Sequence, residues 1–271
     1  MARFSCNFIS YTLQRTVDIT VIIPSVTIPE SIMALGMHGN KPDNPVSCSH
    51  TKNDKYPVLY LLHGYGNNHA TWNDYTRIGL FAEEQNIAVV MLSAENKFYL
   101  NHRDDDKYYD FIQNELPDFV KGMFPVSARA EDTFIAGLSM GGFGALAHAF
   151  SNPEKYAAIG AFSAVSSLDL TGLPDSFKEQ GKAYDPLANA KKRKEEGRKL
   201  PKIYIACGQD DHIHEASVKF KDELIALGGD VTWDSVPAYS HEWRFWDLQV
   251  EKFLNWIPRT DSFAKAGKRQ V

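Results

Sequence analysis

The sequence predicts an α/β protein built on one mostly parallel central sheet with helices on both faces. Three observations carry this reading. Short, wholly apolar runs recur at 58–62, 87–92, 133–136, 158–162 and 203–206. Most are followed by a segment of helical character, the alternation expected of parallel strands joined by crossover helices. The runs also lack the apolar–polar alternation of a one-sided strand, so both of their faces are buried.

The elements follow in chain order. Between residues 12 and 23, Leu13, Val17, Ile19, Val21 and Ile23 tend to alternate with polar residues, which predicts a half-buried strand or hairpin. Residues 24–56 are rich in Pro, Gly, Asn, Ser and His and read as a loop or insertion. The five apolar runs come next, and 230–236 reads as one more strand. Helices are expected at about 74–84, 107–123, 142–150, 215–227 and 243–256. Residues 163–201 read as a cap-like insertion. Within them the charge run 189–200 predicts a solvated helix or cap edge, with a localisation or nucleic-acid patch as the alternative. Residues 259–271 form a polar tail, expected to fray. No internal repeat is visible, and the chain reads as a single domain spanning 1–271.

Composition narrows the function classes. A hydrophobic content of 44% is enough to offset chain entropy, which excludes disorder as the main state. A net charge of −5 argues against nucleic acid as the main partner. No apolar run approaches the roughly 18 residues of a membrane span, so no membrane partner is expected. The N-terminal segment has Arg3 but no apolar h-region, which points to a cytoplasmic protein unless a leader was trimmed. Cys6, Cys48 and Cys207 are odd in number and form no C-x-x-C pair, in keeping with a reducing compartment. The sequence leaves homo-oligomerisation open.

The most informative stretch is 133–150, TFIAGLSMGGFGALAHAF. Gly137-Leu138-Ser139-Met140-Gly141 is a G-x-S-x-G, preceded by a buried strand and followed by a helix of small residues. That context is what a nucleophile elbow requires. The turn lifts Ser139 Oγ above the sheet edge at a helix N-terminus, where developing negative charge is favoured. Two other readings are weaker. The glycines Gly142 and Gly144 with Ala147 mimic a dinucleotide fingerprint, but they begin inside the helix. The other is a purely structural glycine-rich turn.

The first buried run ends in Leu62-His63-Gly64-Tyr65-Gly66, an open glycine loop suited to supplying a backbone oxyanion donor. The N–H groups of Tyr65 and Met140 are the expected pair. His63 is expected to orient that loop, and with Trp243 it is placed in the substrate-binding set. After the run 203–206 comes Cys207-Gly208-Gln209-Asp210-Asp211-His212. An acid in a loop past a late strand suits the third triad member. Asp211 is preferred and Asp210 is the alternative. His212 and His214 beside two Asp resemble a metal cluster, but with no further ligand nearby no metal or cofactor is assigned. The base is His241, in the loop between the last strand and the last helix. His50, His69, His102 and His148 read as surface or packing residues.

With these residues in view, the chain resembles the putative-esterase branch of the α/β-hydrolases. That branch contains tributyrin esterases, S-formylglutathione hydrolases, feruloyl and acetyl-xylan esterases, and mycolyltransferases. The likeness covers about residues 56–258 and is greatest to small bacterial tributyrin/acetyl esterases. It is carried by PVLYLLHGYGNNHATW, NELPDFV, TFIAGLSMGGFGAL, CGQDDHIHEA and SHEWRFWDLQVEKFLNWIP. The resemblance implies an α/β-hydrolase fold with Ser139, Asp211 and His241 as the triad, and Tyr65 and Met140 at the oxyanion positions. It implies a serine carboxylic-ester hydrolase acting on small-molecule esters. Feruloyl or acetyl-xylan esterase, S-formylglutathione hydrolase and acyltransferase are the alternatives, and a non-catalytic binding module predicts a missing triad member. Residues 28–55 and 100–107 depart from the small esterases and both fall at a potential pocket rim. Met140, Tyr239 and Trp243 are expected to wall a narrow acyl pocket, with short acyl groups preferred.

Overall fold

The computed structural model describes residues 1–25, 55–102, 106–168, 175–266 and 268–269. Most of the loop 24–56, including Cys48 and His50, lies outside the described residues. So do Arg103–Asp105 of the segment 100–107 and residues 169–174 of the cap.

Eight strands form one sheet: β1 (Ala2–Ser10), β2 (Arg15–Ile23), β3 (Val58–Leu62), β4 (Ala88–Leu92), β5 (Thr133–Leu138), β6 (Ala158–Phe162), β7 (Lys202–Gly208) and β8 (Val231–Val236). Their order is β1-β2-β4-β3-β5-β6-β7-β8. The hairpin β1–β2 joins β4 antiparallel, and β4 through β8 pair in parallel. The six expected parallel strands are present, and their bounds differ from the expected ones by at most two residues at an end.

The apolar runs are explained by what lies on each face. Val58, Tyr60 and Leu62 of β3 point into one core cluster with Val90, Ile135, Ile159 and Ile205. Leu59 and Leu61 point into a second cluster with Val89, Phe134, Ala136, Phe162 and Ala206. Both faces of the central strands are dry, so neither face needs polar residues.

The helices are α1 (Thr71–Tyr75), α2 (Ile78–Gln85), α3 (Tyr108–Asp110), α4 (Leu116–Met123), α5 (Met140–Ser151), α6 (Asp175–Ala183), α7 (Pro186–Glu195), α8 (His214–Ala226) and α9 (Trp243–Trp256). The single helix expected at 74–84 is two, broken where the Thr76 hydroxyl turns back to the Trp72 carbonyl. A π turn at Phe111–Glu115 joins α3 to α4 and accommodates Pro117. The cap holds two short helices. In α7, Asp185 accepts from the Ala188 N–H at 2.8 Å and Pro186 occupies the first turn.

Two expectations are corrected. Residues 2–10, read only as failing to be a signal segment, form edge strand β1, whose side chains are mostly exposed and so show no buried periodicity. Its turn is pinned by the buried Glu115 carboxylate, which accepts from Ser10 Oγ at 2.7 Å and from the Tyr11 and Thr12 N–H groups at 3.0 Å. The tail 259–271 is anchored rather than frayed in its described part. Phe263 is buried and stacks on Tyr56 with ring centroids 4.7 Å apart. Arg259 donates to the Gln85 carbonyl and Arg269 to the Ser25 carbonyl, taking up acceptors where α2 and β2 end.

The topology sets up the site. Register pairs Leu62 with Gly137, Leu138 with Phe162, and Phe162 with Ala206. The carboxyl ends of β3, β5, β6 and β7 therefore stand in a row. Chain order runs outward in opposite directions from the boundary between β3 and β5, which makes it a topological switch point. Ligand sites of open α/β sheets lie there.

Candidate active site

Ser139 follows β5 at that switch point. Its φ is 51° and ψ −115°, a conformation that costs a non-glycine residue about 1–3 kcal/mol. The strain is held by surrounding bonds. The Ser139 N–H donates to the Phe162 carbonyl at 2.9 Å, and its own carbonyl accepts from Phe143 and Val165. A Cβ at Gly141 would strike the Leu62 and His63 carbonyls. The first turn of α5 thus lies backbone to backbone against the end of β3, where the Tyr65 loop begins. Met140 is the first residue of α5, so its N–H has no partner inside the helix. Among the described residues, neither that N–H nor the Tyr65 N–H has a hydrogen-bond partner. The Met140 side chain is buried in the first core cluster, so the expectation that it walls a pocket is corrected.

His63 is also corrected. It is buried, and both ring nitrogens are committed: Nε2 accepts from the Ala94 N–H at 3.0 Å and Nδ1 donates to the Gly64 carbonyl at 2.7 Å. Burial pushes its pKa down to about 4, so the ring is neutral at pH 7. Tyr99 Oη adds a 2.7 Å bond to the His63 carbonyl. His63 clamps the glycine loop from beneath and does not face substrate.

Asp211 stands in the turn after β7, its side chain sealed from solvent. It accepts from His241 Nδ1 at 2.9 Å and from the Ile213 N–H at 3.1 Å. Burial alone would raise its pKa. The hydrogen bonds from His241, Ile213 and the Ser163 hydroxyl outweigh that and hold it down to about 2. Asp210 is exposed, and its N–H bonds the Tyr239 carbonyl. The structure therefore pairs His241 with Asp211 and not with Asp210. A Cβ at Gly208 would collide with the Tyr239 carbonyl, so glycine there lets the His241 loop close on the Asp211 turn.

Two supporting residues were not read from the sequence. Ser163, after β6, is buried at φ 43° and accepts from Trp246 Nε1 at 3.2 Å. Its hydroxyl helps hold the Asp211 pKa down. The Trp246 ring meets His241 edge-on at 5.0 Å. Contacts run Asp211–His241–Trp246–Ser163, and the Ser163 hydroxyl helps hold the Asp211 carboxylate ionised. The one readable signal was the aromatic helix following His241; Ser163 has none, because its role depends on a turn conformation. Trp243 stacks on Tyr75 at 5.1 Å and meets Trp72 and Trp246 edge-on, forming an aromatic wall beside His241. Across the site, Phe98 (φ 52°) lies between the exposed Tyr65 ring and the buried Phe143 and Phe177.

The other histidines separate cleanly. His148 is fully buried, His69 bonds Thr20 and His102 bonds the Lys97 carbonyl. His214 turns away to Ser235, so the H-x-H pair is split, while His212 lies with Asp211 and His241. A cavity of about 400 Å³ opens at the opposite end of the sheet, between Tyr60, Gln113, Lys121 and Tyr156; the length of β5 separates it from Ser139.

Comparison with known proteins agrees with this geometry. A family described as putative esterase matches residues 43–249, well over half of the chain. An acetyl esterase from Caldicellulosiruptor saccharolyticus is 29% identical, the alignment covering 96% of this chain and 99% of that protein. The fluorophosphonate-binding serine hydrolase FphF of Staphylococcus aureus superposes with a TM-score of 0.79 at 28% identity, covering 96% of this chain and 99% of that one. The S-formylglutathione hydrolase FrmB of the same organism gives a TM-score of 0.75 at 28% identity, with 94% and 96% covered. The chain belongs to the putative esterase family, has the α/β-hydrolase fold and is a serine-type carboxylic-ester hydrolase. Among the described residues no helix is long and apolar enough to cross a membrane.

Proposed function

We propose that this esterase hydrolyses short-chain acyl esters, with Ser139 as nucleophile, His241 as general base and Asp211 as the acid behind it. The observation that carries the assignment is the 2.9 Å bond from His241 Nδ1 to the solvent-sealed Asp211 carboxylate. It stands on the same sheet edge as the strained Ser139. Because Nδ1 donates to Asp211, the Nε2 lone pair is left to take a proton.

The reaction then runs in two halves. Ser139 Oγ attacks the ester carbonyl carbon as its proton passes to His241 Nε2. The oxyanion accepts from the Tyr65 and Met140 N–H groups, each such donor being worth about 10²–10³ in rate. His241 returns the proton to the departing alcohol. Water repeats the sequence on the acyl-enzyme and frees Ser139. Asp211 fixes the imidazole tautomer and stabilises the imidazolium. Neither metal nor organic cofactor enters these steps. Cytoplasmic placement fits the free thiols of Cys6 and Cys207.

The short-acyl reading is supported by the aromatic packing of Phe98, Phe143 and Phe177 beside the Tyr65 loop, which fills space on that side with rings. A buried methylene is worth about 0.8 kcal/mol only where space receives it. The test is kcat/KM along p-nitrophenyl esters from acetate to decanoate, with Ser139→Ala as the control. Specificity should peak at about two to four acyl carbons and fall beyond. Folded Ser139→Ala should lack turnover. A maximum at eight or more carbons refutes the short-acyl reading, and an active Ser139→Ala refutes the nucleophile. S-formylglutathione and methyl ferulate in the same panel, and added alcohol acceptors in a product assay, decide between this reading and its alternatives.

A further inference from the structure

We propose that Asp211, His212 and His241 together form an inhibitory binding site for a divalent transition-metal ion, with zinc the best match. One donor atom from each of the three residues lies within 4.8 Å of the other two. Asp211 Oδ2 is 2.9 Å from His241 Nδ1, and Asp211 Oδ1 is 3.3 Å from His212 Nδ1. The two imidazoles face each other at a tilt of 61° with centroids 4.9 Å apart. In a tetrahedral zinc site with bonds of about 2.0–2.1 Å, neighbouring donors stand about 3.3 Å apart. The two acid–imidazole spacings run to different Asp211 oxygens, so gathering one donor from each residue around an ion takes an inward turn of the exposed His212 ring.

The donor set is also chemically right. Two imidazole nitrogens and one carboxylate leave a fourth position for water, the pattern zinc adopts in open sites. The carboxylate is ionised across the working pH range and is held in place by the Ile213 N–H, so it offers a fixed negative anchor. The side chain of His212 is 72% exposed, which leaves a route from solvent and freedom to adjust to the ion.

The consequence for catalysis follows from proton bookkeeping. When the ion takes the Nδ1 lone pair of neutral His241, the ring proton sits on Nε2. That nitrogen then has no lone pair, and the general base of the proposed reaction is lost. The Nδ1 proton that bonds Asp211 leaves to solvent while a proton is taken up from solvent at Nε2, so the ring stays neutral, and the remaining change is reversible coordination to the ion. The inhibitory effect rests on the functional reading above, whereas the metal site itself does not.

The experiment compares wild type with His212→Asn. Cobalt(II) chloride is titrated as a spectroscopic probe, and zinc chloride is titrated into p-nitrophenyl acetate hydrolysis. Wild type should develop cobalt d–d absorption and lose activity to zinc, with full recovery on adding EDTA. Loss of a supporting contact alone costs about 10–100-fold in metal affinity, so His212→Asn should need at least about tenfold more of either ion. Its activity without metal should match wild type. Inhibition should weaken as pH falls, because protons compete for the same nitrogens. Equal zinc and cobalt sensitivity in the two proteins overturns the proposal and places any inhibitory zinc elsewhere, such as Cys6. An absence of ester turnover in both would instead overturn the functional reading, and cobalt absorption lost in His212→Asn would still establish the site.

Discussion

Acidification should destabilise this protein well before its carboxylates titrate, because two histidines are buried neutral. His63 and His148 are almost wholly inaccessible, and burial lowers the pKa of each from 6.5 to about 4. His148 Nε2 donates to the Tyr99 carbonyl at 2.9 Å, and its Nδ1 accepts from Gln113 Nε2 at 2.7 Å. Each ring therefore has its hydrogen bonds without a second proton. Between pH 6.5 and 4 the unfolded chain binds protons on these rings and the folded chain does not. Their contribution is fully present above pH 6.5 and is lost as pH falls towards 4. At about 1.4 kcal/mol per pH unit, each ring accounts for about 3 kcal/mol once pH is below 4, and about 2 kcal/mol at pH 5. Both together remove about 4 kcal/mol at pH 5, a large part of a typical 5–15 kcal/mol. The assay is guanidinium unfolding followed by tryptophan fluorescence, with Trp72 and Trp246 as buried reporters, at pH 7.5, 6 and 5. His148→Asn should be less stable at pH 7.5 but lose only about half as much on going to pH 5. Wild-type stability that changes by less than about 1 kcal/mol between pH 7.5 and 5 would refute the reasoning. So would a His148→Asn variant with the full wild-type slope.

Further outcomes test the catalytic assignment and the packing. Asp211→Asn should lower kcat by about 10⁴ through loss of the required imidazole tautomer, while Asp210→Asn stays within a few-fold; the reverse ranking in steady-state assays would move the acid. Ser163→Gly relieves the strained φ of 43° but deletes the hydroxyl that supports Asp211. Its melting temperature should hold or rise, kcat should fall about tenfold (about 1.4 kcal/mol) at constant KM, and the acid limb of the pH–rate profile should move upward. A purely structural Ser163 would leave that limb in place. Phe263→Ala should cost about 3 kcal/mol in chemical denaturation, since the ring is buried against Tyr56; no change would mean that the tail frays after all.

How much of this could be read in advance depended on how far apart the determining contacts lie. Strands β3 and β6 and helix α9 have the bounds read from the sequence, because a short apolar run between turn signals, or a periodic aromatic stretch, is local information. The G-x-S-x-G elbow is local too: Gly141 must be small because its own turn presses on β3. Edge strand β1 was unreadable, since only the burial of Ser10 and the half-burial of Ala2, Cys6 and Phe8 distinguish its faces. The break between α1 and α2 came from one threonine hydroxyl competing for a helix carbonyl, which no periodicity registers.

The histidines show the limit most sharply. His63 and His241 each follow a strand and precede a glycine- or aromatic-rich segment, so the sequence separates them only by chain order: His241 follows the nucleophile and the acid, and His63 precedes both. What separates them in the structure is set by residues far away in the chain. His63 spends its acceptor nitrogen on the N–H of Ala94, 31 residues on, and is sealed beneath the loop. His241 places Nδ1 on a carboxylate 30 residues back and leaves part of its ring open to solvent. A histidine whose acceptor is already occupied by a backbone N–H cannot serve as a base without breaking that bond. One oriented by a buried carboxylate can. The same reasoning accounts for Ser163: the Trp246 indole, which can only donate, occupies one of its oxygen lone pairs, and the hydroxyl, which stands 48 residues before Asp211 in the chain, helps keep that carboxylate ionised.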